Sequence, residues 1–215
     1  MNRPSPLNLV FDLGGVVLAW RPADLLQATF PDQASSHQHA AALAQQVFGH
    51  ADWLAFDQGV LGAAELTRRT AARLALDASA LATLIDSIGD LLQPMAGALE
   101  LLDRLRQRRD GHSPLRLYYL SNMPQPYARV LESRFEFFSW FDGGLFSSDV
   151  QLIKPDPAIY QLLARRYAFN PGQTLFVDDL QANVRAAQAL GWRGHHFVSP
   201  QQLRVQLADL ALWED

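Results

Sequence analysis

Four short stretches carry residues able to handle a phosphoryl group: Asp12, Ser121 with Asn122, Lys154, and Asp178 with Asp179. Carboxylates are hard oxygen donors, and three of them brought together suit a Mg²⁺ ion that keeps some of its waters. Without a cation, clustered carboxylates raise one another's pKa, so a bound metal would remove the conflict. Ser121 and Asn122 supply a hydroxyl, an amide and backbone N–H groups fit to hold phosphoryl oxygens. Lys154 is the single lysine among 18 basic residues. Its compact ammonium does what a planar guanidinium cannot, and it could offset Asp12 and a phosphate together. Each stretch also has a plainer reading. Asp12 can simply end a strand, Asp178 and Asp179 can cap the next helix, and one lysine can survive by chance. Capping accounts for one aspartate but not for polar groups recurring where apolar runs stop.

The elements that must position these groups follow from those runs. Leu9, Val10 and Phe11 lead straight into Asp12, and Leu13, Gly14, Gly15, Val16 and Val17 follow. A short continuous apolar run reads as a fully buried strand of a parallel sheet, and ligands bind at the carboxyl edge of such sheets. Gly14 and Gly15 permit a tight turn and a close approach of a ligand to the backbone. Further strands are expected at 115–120, 145–148, 174–177 and 195–198, with helices at 94–109, 126–134, 156–167, 181–190 and 200–212. This alternation predicts an α/β fold, a doubly wound parallel sheet with right-handed crossovers. Parallel strands put Asp12, Ser121–Asn122 and Asp178–Asp179 on one edge. Between 19 and 93 the pattern is helical throughout, at 23–30, 34–48, 52–57, 63–74 and 79–92, the last with an apolar stripe of Leu81, Leu84, Ile85, Ile88 and Leu92. The expected organisation is a core of 1–18 and 94–215 with a helical cap of 19–93.

Composition narrows the partners. The chain of 215 residues is 49% hydrophobic and has a net charge of -4, which gives no basic footprint for nucleic acid. There is no cysteine, hence no disulfide and no thiolate metal site. No apolar run approaches the ~20 residues that span a bilayer, and the first six residues contain no signal-peptide hydrophobic region. A cytoplasmic protein, monomer or homodimer, is expected. His195 and His196 could form a metal pair, but neighbouring strand residues point to opposite faces. His37, His39 and His50 are expected on exposed faces of the insertion, and Trp53 and Phe56 in its core.

The ordered set of motifs resembles the haloacid dehalogenase (HAD)-like hydrolase superfamily, mostly Mg²⁺-dependent phosphatases with a Rossmann-like core. The matching stretches are Phe11-Asp12-Leu13-Gly14-Gly15-Val16, Leu120-Ser121-Asn122, Lys154-Pro155-Asp156-Pro157, and Phe176-Val177-Asp178-Asp179 followed by Asn183, Ala186, Ala187 and Leu190-Gly191. Each motif alone is weak; four in order across nearly the whole chain are specific. The helical stretch falls where this superfamily inserts its cap. Trp53, Phe56, Gly59 and Glu65 resemble the cap of the subgroup containing alpha-D-glucose-1-phosphate phosphatase and the N-terminal phosphatase domain of soluble epoxide hydrolase.

The resemblance implies that Asp12 is a nucleophile forming an aspartyl-phosphate. It implies Mg²⁺ held by Asp12, the backbone carbonyl of Gly14, and Asp179 or Asp178, with Asp179 favoured as the direct ligand. Ser121, Asn122 and Lys154 would bind phosphoryl oxygens, and Asn183 would orient the acidic loop. The implied substrate is a small phosphorylated metabolite, such as a hexose 1-phosphate. One position departs from the pattern: Gly14 stands where most phosphatases of the superfamily carry a second aspartate as general acid/base. Losing a general acid costs about 10²–10⁴-fold in rate. The departure points to a leaving group that needs little protonation, such as an anomeric hydroxyl, or to a proton from water or substrate. It also leaves open a metal-free haloacid dehalogenase-type hydrolase, and a catalytically silent phosphate-binding regulatory module. A left-handed turn at Gly14 would bar any side chain there.

Overall fold

The computed structural model describes residues 8–111, 115–210 and 212–213. The reading of the first six residues lies outside them. Five strands, β1 (Asn8–Phe11), β2 (Arg116–Ser121), β3 (Gly143–Phe146), β4 (Thr174–Asp178) and β5 (Arg193–His196), form one sheet in the order β3-β2-β1-β4-β5. Every pairing is parallel. β1 is the central strand, which is why it reads as an unbroken apolar run. Leu9 and Phe11 belong to one apolar cluster and Val10 to the other, the two faces that alternate side chains must serve.

Helices α1 (Pro22–Thr29), α2 (His37–Phe48), α3 (Ala51–Asp57), α4 (Ala63–Leu74) and α5 (Ala78–Leu91) follow β1 before any further strand. The two ends of this insertion are tied together beside the sheet: Ala19 N donates to Gln93 O at 2.8 Å and Met95 N to Val17 O at 2.9 Å. The stripe on α5 buries Leu81, Leu84, Ile85 and Ile88. It packs on α7 (Gln125–Arg134), where the buried Tyr127 hydroxyl donates to Ile85 O at 2.6 Å. The apolar cluster therefore runs without a break from β1 through the insertion. Edge-to-face aromatic contacts bridge it from Trp20 through Phe48, Trp53 and Phe56 to Tyr127, an arrangement that stabilises beyond burial alone.

On the remaining segments lie α6 (Ala96–Asp110), α8 (Ser147–Val150), α9 (Pro157–Arg166), α10 (Gln181–Ala189) and α11 (Pro200–Asp209). Several boundaries differ from the sequence expectation. The third strand is Gly143–Phe146, because residues 147–150 coil into α8. Gly144 lets β3 pass Tyr119, whose ring a Cβ would meet at 2.4 Å. The fifth strand starts at Arg193, two residues early, and α2 starts at His37, where the Ser36 hydroxyl accepts from His39 N. Among the described residues no helix is long and apolar enough to cross a membrane.

Candidate active site

The parallel register delivers the polar groups to one edge. Phe11 pairs with Tyr119 on one side and Val177 on the other, so Asp12 stands between the ends of β2 and β4. Asp12 N continues the ladder by donating to Val177 O at 2.8 Å. Asp12, Gly14, Ser121, Asn122, Lys154, Asp179 and Asn183 all line one cavity of about 210 Å³. Asp178 is fully buried beneath it.

Lys154 is the hub. Its Nζ lies 2.9 Å from Asp12 Oδ1 and 2.7 Å from Asp178 Oδ2, and it donates to Leu120 O at 2.9 Å. Asp178 also accepts from Leu180 N at 2.8 Å and from the Asn183 amide at 3.0 and 3.1 Å. Its oxygens are committed within the protein. Asp179 has no such cage: its carboxylate lies over the glycine turn, where a Cβ on Gly15 would come within 2.4 Å of Oδ2. Gly15 also has φ +74, so the left-handed turn belongs to Gly15 and not to Gly14. Gly14 has no positive φ, and a Cβ there would meet no atom within 4 Å.

The Asn122 side chain is engaged within the protein. The Asn122 side chain donates to Lys154 O at 3.0 Å and accepts from Lys154 N at 2.9 Å. Its amide thus clamps the lysine loop, as a short polar side chain pairs with backbone when no ladder is available. The histidines do not converge. His195 is buried against Gln206, whereas exposed His196 contacts Asp179 O at 2.9 Å. His50 accepts from Asp52 N at the start of α3, and His39 contacts Ser35. None of the five insertion and strand histidines lines the cavity.

Electrostatics favour a cation. Carboxylate oxygens of Asp12, Asp178 and Asp179 lie within 4.8 Å of one another. Burial, reinforced by the charges of Asp178 and Asp179 and opposed by Lys154, pushes Asp12 up to about 7. Burial and the charge of Asp178 push Asp179 up to about 6. Burial works against the Lys154 charge, but Asp12 and Asp178 outweigh it and hold its pKa above the ordinary value. Three crowded carboxylates with one ammonium fit a hard divalent ion such as Mg²⁺.

The insertion supplies Trp20, Phe48, Trp53, Leu54, Ile88 and Leu92 to the cavity, with the single carboxylate of Asp57, and Met123, Pro124, Tyr127 and Leu180 complete it from the core side. Sequence reading placed Asp57 only at the end of a short helix. Its spacing of four from Trp53 puts both on one helix face, but only the packing of α3 on the sheet edge brings that face to Asp12.

Comparison with known proteins agrees with this geometry. The chain is 25% identical over 202 residues to the sesquiterpene phosphatase astK of Aspergillus oryzae, covering 94% of each protein. It has the same identity over 202 residues to the drimenol cyclase drtB of Aspergillus calidoustus, of which it spans 36%. A HAD family enzyme of Bacteroides thetaiotaomicron, bt-2542, solved with magnesium and inorganic phosphate, superposes with a TM-score of 0.65 at 20% identity, over 87% of this chain and 92% of that one. That likeness concerns the fold. Residues 8–191 match the sequence model of the haloacid dehalogenase-like hydrolases, and the chain belongs to that family.

Proposed function

We propose that this hydrolase is a Mg²⁺-dependent phosphomonoesterase in which Asp12 attacks phosphorus. The observation that carries the reading is the trio of clustered carboxylates, two of them, Asp12 and Asp178, paired with one lysine. A metal-free dehalogenase gains nothing from a third acidic group at its nucleophile, whereas a phosphatase uses it to hold the ion. Asp12, Asp179 and the Gly14 carbonyl would hold Mg²⁺, with Asp178 and Asn183 bracing them. The ion would neutralise charge on the phosphoryl oxygens. The chain's own groups do the remainder. Lys154 opposes the rise in the Asp12 pKa and faces the phosphoryl group, Ser121 offers a hydroxyl to it, and Asn122 fixes the lysine loop. Positioning and charge stabilisation are what phosphoryl transfer needs most. In this reading 19–93 is the cap over a core of 1–18 and 94–215.

The substrate is a small phosphate ester, and its alcohol part is apolar. A hexose would bring several hydroxyls against Trp20, Phe48, Trp53, Leu54, Ile88 and Leu92, and each hydroxyl buried without a partner is costly. Trp20, Ile88 and Leu92 also border a groove of about 940 Å³ along α1 and α5, room for a hydrocarbon tail. The sesquiterpene phosphatase among the relatives supports the same class. The hexose 1-phosphate and the narrower likeness to glucose-1-phosphate phosphatase form the competing arm.

Turnover of a prenyl monophosphate, a medium-chain alkyl monophosphate, glucose 1-phosphate and 2-chloropropionate, each with Mg²⁺ and with EDTA, tests the proposal. The expected result is Mg²⁺-dependent release of phosphate, fastest from the apolar esters. Chloride release that survives EDTA would replace it with the dehalogenase. No turnover and no Mg²⁺ binding by calorimetry would leave a silent module.

A further inference from the structure

We infer that Asp57 supplies, from the helical insertion, the acid and base that the sheet edge lacks at Gly14. The inference rests on the phosphatase reading above.

Asp57 lines the same cavity as Asp12, Ser121, Lys154 and Asp179. It is the last residue of α3, and the Trp53 indole one turn earlier hydrogen-bonds to its carboxyl. A carboxylate at a helix C-terminus opposes the helix dipole. Among the described residues no ion pair offsets it there, so helix stability does not account for it. Its backbone is nevertheless tied down. Ser147 Oγ donates to Asp57 O while accepting from Met123 N at 2.9 Å, which links α3 to the loop after β2. Gln58 Nε2 donates to Gln151 O at 2.7 Å. At Gly59, φ +77 and a Cβ that would lie 2.9 Å from Ser148 O allow no other residue without displacement. These ties fix the end of α3 beside the cavity that Asp57 shares with Asp12, as a catalytic group must be fixed.

The surroundings also set its protonation. Burial, together with the charge of Asp12 and against that of Lys154, pushes Asp57 up to about 8. Tyr127 of α7 also faces it.

The step balances as follows. An Asp12 carboxylate oxygen forms a bond to phosphorus, and the bond from phosphorus to the ester oxygen breaks with its electron pair on that oxygen. The Asp57 proton passes to the same oxygen, and the alcohol leaves. Water then attacks the aspartyl-phosphate phosphorus and gives a proton to the Asp57 carboxylate. The bond to Asp12 breaks with its electrons returning to the carboxylate. Inorganic phosphate leaves, and Asp57 is again protonated.

The test is the dependence of kcat/KM on leaving-group acidity, from alkyl phosphates through phenyl phosphate to 2,4-dinitrophenyl phosphate, with Mg²⁺. Asp57→Asn is expected to lose about 10²-fold or more on alkyl phosphates, as for removal of a general acid, and to leave dinitrophenyl phosphate turnover nearly unchanged. Asp57→Glu, which keeps a carboxyl, should retain more alkyl turnover than Asp57→Asn. Gly14→Asp, which the open space at Gly14 admits, should raise alkyl turnover more on the Asp57→Asn background than in the wild type, because the two carboxyls do one task. An equal loss across the series marks a structural role and overturns the inference, as does no loss at all. If thermal melts show Asp57→Asn misfolded, Asp57→Ala is read by the same slope. A wild type that hydrolyses no phosphate ester at all instead removes the phosphatase reading, a result distinct from either.

Discussion

The two walls of the cavity are built on opposite plans. The sheet edge is polar and its groups are locked to one another: Lys154 to Asp12 and Asp178, Asn183 to Asp178, and Asn122 to the lysine loop. The insertion wall is apolar, with Leu54 partly exposed and one carboxylate, Asp57. A rigid, charge-dense wall can hold the same reactive geometry for any phosphate ester. An apolar wall carried on separate helices selects the alcohol attached to it. In the function proposed above, this contrast divides chemistry from selectivity between strand ends and helices, with Asp57 as the point where the insertion would enter the chemistry.

The sharpest way to break this comparison is at the sheet edge. Asp12→Asn is expected to reduce phosphatase kcat on the order of 10⁶-fold, as loss of a covalent nucleophile does, with the fold retained in circular dichroism. Comparable turnover in the variant would move the nucleophile elsewhere. Lys154→Met should strike stability too. It leaves Asp12 and Asp178 buried without their ammonium, at a cost of about 3–5 kcal/mol, read in urea unfolding. A small loss would mean that the two aspartates relax to water or share a proton.

On the other wall the effects are smaller and confined to selectivity. Leu54→Asn should lower kcat/KM for an alkyl or prenyl phosphate by roughly 10-fold, the worth of a modest apolar contact in a binding pocket. Glucose 1-phosphate turnover should stay level. A uniform change in both would erase the division between the walls.

A separate effect concerns pH. The folded-state pKa of Asp57 lies above its ordinary value, at about 8 against 3.8. Its proton is therefore held more tightly in the folded protein, and the stability this contributes is present at low pH and lost as pH rises through about 8. The Tm of Asp57→Asn should accordingly gain on the wild type between about pH 4 and 8 and run parallel above. A Tm difference that does not change with pH would mean an ordinary, well-solvated carboxyl at Asp57.

Much of the site was legible because strand ends are local events. The run Leu9-Val10-Phe11-Asp12, the pair Asp178-Asp179 and the lone lysine each announce themselves in a few residues, and parallel pairing does the rest. Boundaries were less legible. Residues 145–148 read as strand, yet α8 begins at Ser147, whose hydroxyl is used to join Asp57 O and Met123 N. That the Asn122 side chain pairs with the Lys154 backbone was not legible either, since the two are 32 positions apart.

The sequence by itself determined the parallel α/β core, the position of the helical insertion and the identity of the acidic and basic groups at the strand ends. Burial of alternating segments and the direction of parallel strands leave few other arrangements for them. Only the tertiary structure decided which glycine needs the left-handed turn, which aspartate faces the cavity and which is caged, and that Asp57 lines the same cavity as Asp12. The last pair is separated by 45 positions along the chain, so no local pattern encodes their meeting. It depends on how α3 packs over the sheet edge, through the aromatic contacts and the few hydrogen bonds that fasten its end.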